Sequence, residues 1–94
     1  MPNDFLYERM FKFHEFAGKY GMITIRAWIA DKGQYPEYFE QIIKKIINSI
    51  KSYCYTSFFE IRGLARTLTD IDGVNAIEVV DRNGNGSIVY KDWP

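Results

Sequence analysis

A chain of 94 residues suits one domain, and 47% hydrophobic with 17% aromatic residues supplies a core and excludes a disordered chain. The 12 Lys plus Arg balance 12 Asp plus Glu, removing the net positive field that usually drives binding to nucleic acid or anionic membranes. One cysteine, Cys54, excludes an internal disulfide framework and a multi-cysteine zinc site.

The first segment, Asp4 to Tyr20, reads as a helix. Glu8, Lys12, Glu15 and Lys19 form a polar stripe, and both acid–base pairs at i, i+4 have the favoured orientation. Leu6, Met10, Phe13, Ala17 and Tyr20 line the opposite side, with Asn3 or Asp4 as cap and Gly21 as stop. The charges at Asp4, Glu8 and Arg9 leave no apolar signal-peptide core, and no apolar run is long enough to span a membrane. A soluble, cytosolic protein without a membrane partner is the expectation.

Met22 to Ala30 alternates Ile23, Ile25, Ala27 and Ile29 with Thr24, Arg26 and Trp28, the period of a strand with one buried face. Asp31-Lys32-Gly33 ends it as a turn. Pro36 then opens a helix running to about Tyr53, in which Phe39, Ile42, Ile43, Ile46, Ile47, Ile50, Tyr53 and Cys54 gather on one side. Ser57 with Glu60 makes a capping box for a further helix from Phe58 to Asp70, although the aromatics of Tyr53 to Ile61 also suit a strand. After Gly73 the pattern is strand, turn, strand. The expected architecture is a single α+β domain over residues 1–94. It has two layers: a small antiparallel sheet of about three strands packed against helices in the order α-β-α-α-β-β, with a C-terminal β-hairpin.

The segment Asp81 to Asp92 matches the spacing of an EF-hand loop. Asp81, Asn83 and Asn85 take positions 1, 3 and 5, Gly86 position 6, Ser87 position 7 and Asp92 the last. The closing Asp resembles the loop of dockerin modules, over twelve of the 94 residues. The resemblance implies calcium held by Asp81, Asn83, Asn85, Ser87 and Asp92. Against it, the preceding VNAIEVV reads as strand, only Trp93 and Pro94 follow Asp92, and Val89 takes position 9, leaving two carboxylates and two amides for a hard cation. Asn83-Gly84 and Asn85-Gly86 are instead type I′ hairpin signals, so a hairpin with no metal is preferred. A turn at Asn83-Gly84 sets Val79 opposite Ile88 and Ile77 opposite Tyr90, which places those four inward. Arg26, Trp28, Val80 and Val89 then face outward as the candidate interaction surface, unless the first helix covers that side.

Other chemistries have weaker support. His14 has no partner at metal-ligand spacing, Cys54 extends an apolar helix face, and no GxSxG, P-loop or GxGxxG is present, so neither an enzyme nor a cofactor is expected. Arg62 and Arg66 at i, i+4, with Arg26 and Trp28, make a candidate nucleic-acid surface. The preferred expectation is a non-catalytic interaction or accessory module, a homo-oligomer or the binder of a protein partner, associating through a sheet face or edge.

Overall fold

The computed structural model describes residues 7–18, 21–31, 36–54 and 61–91. Two hairpin strands lead the chain, β1 (Tyr7–Gly18) and β2 (Gly21–Asp31). Two helices follow, α1 (Pro36–Cys54) and α2 (Ile61–Thr69), and then β3 (Val74–Asp81) and β4 (Gly86–Tyr90). The four strands form one antiparallel sheet in the order β1-β2-β3-β4. The α+β class stands, and among the described residues there are four strands rather than about three, two helices rather than three, and the order β-β-α-α-β-β.

The expected first helix is a strand. Four is an even number, so the Glu8–Lys12 spacing that reads as one helix stripe also puts both charges on one face of a strand. Glu8, Met10 and Lys12 sit opposite Ala30, Trp28 and Arg26 on one side, while Phe11 and Phe13 sit opposite Ala27 and Ile25 on the other. The alternation of Phe11 and Phe13 with charged residues suits a half-buried pleated surface better than a helix. Gly21, read from the sequence as a helix stop, begins β2 and pairs with Gly18 at the end of β1.

Both helices lie on one face of the sheet. Phe39, Ile42, Ile46 and Ile50 of α1, and Leu64, Ala65 and Leu68 of α2, form one buried cluster with Phe13, Ile23, Ile25, Ala27, Ile29, Val74, Ile77 and Val79. Each fully buried isoleucine or leucine contributes about 1.5–3 kcal/mol over leaving it exposed. Helix α2 covers β3 and β4, and α1 reaches β1, where the Phe11 and Phe39 rings meet at 5.6 Å. The Arg9 guanidinium lies 4.8 Å from the Phe39 ring centre and 5.2 Å from that of Phe11. Its stem closes the end of the core while its charge stays at the edge. The least Cα extent, 18 Å, is that of two layers.

The C-terminal hairpin turns by a route the two Asn-Gly pairs did not indicate. The Gly84 amide donates to the Asp81 carbonyl at 3.1 Å and the Asp81 amide to the Asn85 carbonyl at 2.8 Å. Gly84 adopts φ of 85°. This is a three-residue loop, Arg82-Asn83-Gly84, made of a type I turn followed by a left-handed glycine. One residue more than a type I′ loop shifts the register by one, giving Ile77↔Val89, Glu78↔Ile88 and Ala76↔Tyr90. Directly opposed residues share a face, so the expected faces of β4 are exchanged. Val89 packs against the core from the helix side, with Ser87 opposite Val79. Ile88 and Tyr90 face away from the helices, 43% and 51% exposed. The proposed capping box at Ser57 and Glu60, and the helix-or-strand question over Tyr53 to Ile61, fall largely on residues 55–60, outside the described residues.

Candidate functional site

The side of the sheet opposite α1 and α2 is the site the fold presents. Register assigns to it Glu8, Met10 and Lys12 of β1, Met22, Thr24, Arg26 and Trp28 of β2, Ala76, Glu78 and Val80 of β3, and Ile88 and Tyr90 of β4. No described helix covers it. Among the described residues, the exposed large hydrophobics are Met10, Met22, Ile88 and Tyr90, and every one of them is on this face. Solvated sheet faces are ordinarily polar, so this concentration makes the face the candidate contact surface.

Charge is arranged across the same face. Arg26 and Glu78 are opposed in register, and Arg26 Nη1 donates to Glu78 Oε1 at 2.8 Å. Both side chains are about one-third exposed, so solvent screens the pair and its stabilisation is small. Lys12 lies opposite Arg26 on the other side, a like-charge neighbour in the cross-strand position. Near the far end of the sheet, the register of β3 slips between Val74 and Ala76, a bulge at Asn75. Asn75 Nδ2 donates to Glu8 Oε2 at 2.8 Å, reaching across β2 to hold the carboxylate in place. Between these groups lies a shallow groove of about 250 Å³ lined by Glu8, Trp28, Ala76, Ile88 and Tyr90. The small side chain of Ala76 leaves the floor of this groove open.

Of the four residues singled out for an interaction surface, Arg26, Trp28 and Val80 lie on the helix-free face and Val89 does not. Its place is taken by Ile88 and Tyr90, which the sequence placed inward because a two-residue turn had been assumed. The nucleic-acid set is divided. Arg26 and Trp28 are on the open sheet face, whereas Arg62 and Arg66 are exposed on α2, which packs on the other side. His14 falls in β1 and Cys54 ends α1, but their side chains lie outside the described residues.

Asp81 has a structural role in the hairpin. Its Oδ1 accepts the Asn83 amide at 2.9 Å and the Asn85 amide at 2.8 Å, and its Oδ2 accepts Asn85 Nδ2 at 3.1 Å. These bonds commit the carboxylate to the turn, where an EF-hand would require it to face a cation. Ser87 lies within β4, and Asp92 is outside the described residues. Among the described residues no group of three or more His, Cys, Asp or Glu converges as a metal site.

Partial desolvation would raise the Asp81 pKa, but the bonds from the Asn85 side chain and the Asn85, Asn83 and Gly84 amides outweigh it, leaving the value below 3.8. A depressed folded-state value means the carboxylate stabilises the hairpin above the unfolded-state pKa, and this is lost as pH falls through the folded value. The Asn83 and Asn85 amide shifts, followed by NMR from neutral pH downward, are expected to titrate below 3.8. Asp81→Ala should abolish that transition, and an ordinary aspartate midpoint in the wild type would contradict the assignment.

Comparison with family models, with curated proteins and with solved structures finds no match for this chain. Among the described residues no helix is long and apolar enough to cross a membrane.

Proposed function

We propose that this chain is a non-catalytic interaction module that self-associates through the helix-free face of its sheet. The observation that carries this reading is the confinement of Met10, Met22, Ile88 and Tyr90 to that one face, with Met10 directly opposite Trp28 and Met22 at the other end of β2. Burying them against a second copy would remove their apolar surface from water, which is the main driving force of association. The face has the size for it. Strands of 12, 11, 8 and 5 residues project roughly 550 Å². A standard interface buries about 800 Å² of accessible surface per partner, a measure that exceeds the flat projection of the same patch.

Charge favours a second copy over a polyanion. Glu8 and Glu78 balance Lys12 and Arg26 on the same face, so the surface complements itself rather than a phosphate backbone. Arg26, the cation nearest Trp28, is already engaged by Glu78. A nucleic-acid surface built from Arg26, Trp28, Arg62 and Arg66 would have to span both sides of the molecule.

Sedimentation over a concentration series tests the proposal. The wild type is expected to dimerise, and Trp28→Glu to weaken association by about 30-fold or more, the effect of removing an interfacial tryptophan anchor. Ile88→Asp, at an exposed position of an edge strand, provides a second variant should Trp28→Glu disturb folding. A wild type that stays monomeric throughout the series overturns the reading.

A further inference from the structure

The groove on the open face has the chemistry of a receptor for a long cationic side chain, and the same face carries a cation without a counterion among the described residues. Two walls are aromatic, Trp28 and Tyr90, a third is Ile88, the floor is Ala76, and the single charged lining residue is Glu8. An aliphatic stem fits against the apolar walls, an ammonium is attracted to aromatic faces, and a carboxylate at the rim completes the recognition. Glu8 is pre-set for this. One of its oxygens is held by Asn75 at 2.8 Å, and the other remains to accept from outside.

The cation that matches is Lys12. It is exposed, it shares the open face, and it makes no ion pair among the described residues. Its cross-strand neighbour is Arg26, a like charge whose own counterion, Glu78, lies on the far side. Among the described residues Lys12 therefore has a repulsive neighbour and no acid paired with it to offset that. Within β1, Glu8 and Lys12 are four residues apart on one side of the strand, about 13 Å, beyond the reach of a direct contact. A second copy placed face to face supplies what each lacks.

We propose that on self-association the groove of each copy receives Lys12 of the other. Its stem would lie between Trp28, Ile88 and Tyr90, and its ammonium would pair with Glu8. This rests on the self-association reading and names the contact that gives it register. By two-fold symmetry the contact occurs twice, as an isologous interface requires.

A charge-swap experiment decides it. Glu8→Lys alone sets Lys12 against a second lysine, and Lys12→Glu alone sets Glu8 against a second glutamate. Each is expected to weaken homodimerisation by about tenfold or more. Mixing the two variants restores opposite charges at both contacts, although one groove then receives a carboxylate, so a heterodimer tighter than either variant's homodimer is expected, measured by sedimentation with one variant labelled. Restoration requires both chains to be folded, which separates charge repulsion from misfolding. Single variants that dimerise like the wild type, or a mixture that fails to recover, overturn the Lys12–Glu8 contact while leaving self-association standing. A monomeric wild type would remove both.

Discussion

Gly73→Ala is expected to destabilise the domain by about 1–4 kcal/mol, an effect with two separable sources. Gly73 precedes β3 with φ of 93°, a conformation that L residues rarely adopt. An added Cβ would also lie 2.6 Å from Ile42 Cδ1 and 2.6 Å from the Tyr38 hydroxyl oxygen, both on α1. The backbone strain accounts for roughly 1–3 kcal/mol and the overpacking for about 1 kcal/mol or less, because both contacts are the outermost atoms of side chains that can give way. Gly84→Ala isolates the first source, because Gly84 has φ of 85° but nothing within 4 Å of the Cβ position. It is expected to cost about 1–2 kcal/mol. In thermal unfolding, the Gly73 variant should melt lower than the Gly84 variant by several degrees, each kcal/mol being worth about 4–8 °C in a domain this size. Equal melting temperatures would mean that α1 does not press on the start of β3 as described.

Adjacent residues of β4 provide the second large contrast. Val89→Asp removes an apolar side chain packed on the core beside Ile77 and puts a carboxylate there, with Arg66 and Lys91 along the neighbouring hollow to offset only part of the cost, and is expected to destabilise by about 2 kcal/mol. Ile88→Asp introduces the same charge one residue earlier, on the open face, and should destabilise by only about 1 kcal/mol, in part through the like charge of Glu78 opposite. Denaturant unfolding of the two variants therefore reads the strand's register directly. If Ile88→Asp proved the more damaging, β4 would have to pair with β3 in the two-residue-turn register instead.

These contrasts locate what the sequence made legible. The period of β2 was clear because its isoleucines alternate with Thr24, Arg26 and Trp28, and α1 because Pro36 opens a long face of isoleucines. The element β1 was not, because its charges are spaced by four, a number that satisfies both a helix and a strand. The distinguishing signal lay in the odd positions, where Tyr7, Phe11 and Phe13 recur with the period of a pleat. The hairpin failed more subtly. Two Asn-Gly pairs drew the reading to a two-residue loop, yet Asp81 and Gly84 stand at the first and fourth positions of a type I turn, where those residue types are favoured. One residue of loop length then decided which half of β4 meets solvent. The site inherited that error: Trp28, Arg26 and Val80 were legible from β2 and β3, while Ile88, Tyr90 and the groove over Ala76 depend on the turn. Glu8 and Met10 depend on β1 being a strand at all.

The seam between β2 and β3 has a kinetic consequence. Each outer pair of strands closes locally, but the bond from Arg26 to Glu78 joins residues 52 apart in sequence. Closing a loop of that size costs about 3.5 kcal/mol of chain entropy before any contact repays it. The two hairpins can therefore form early and separately, and their union across the middle of the sheet is the slow, non-local step of folding. Until that step is complete, β2 and β3 each present a bare edge rich in isoleucine and valine, the kind of edge that pairs with another chain. The interval before the seam closes is when this sequence is most exposed to exchanging hairpins with a neighbour, and the helices between the two halves shorten it by holding them on one side of a common core.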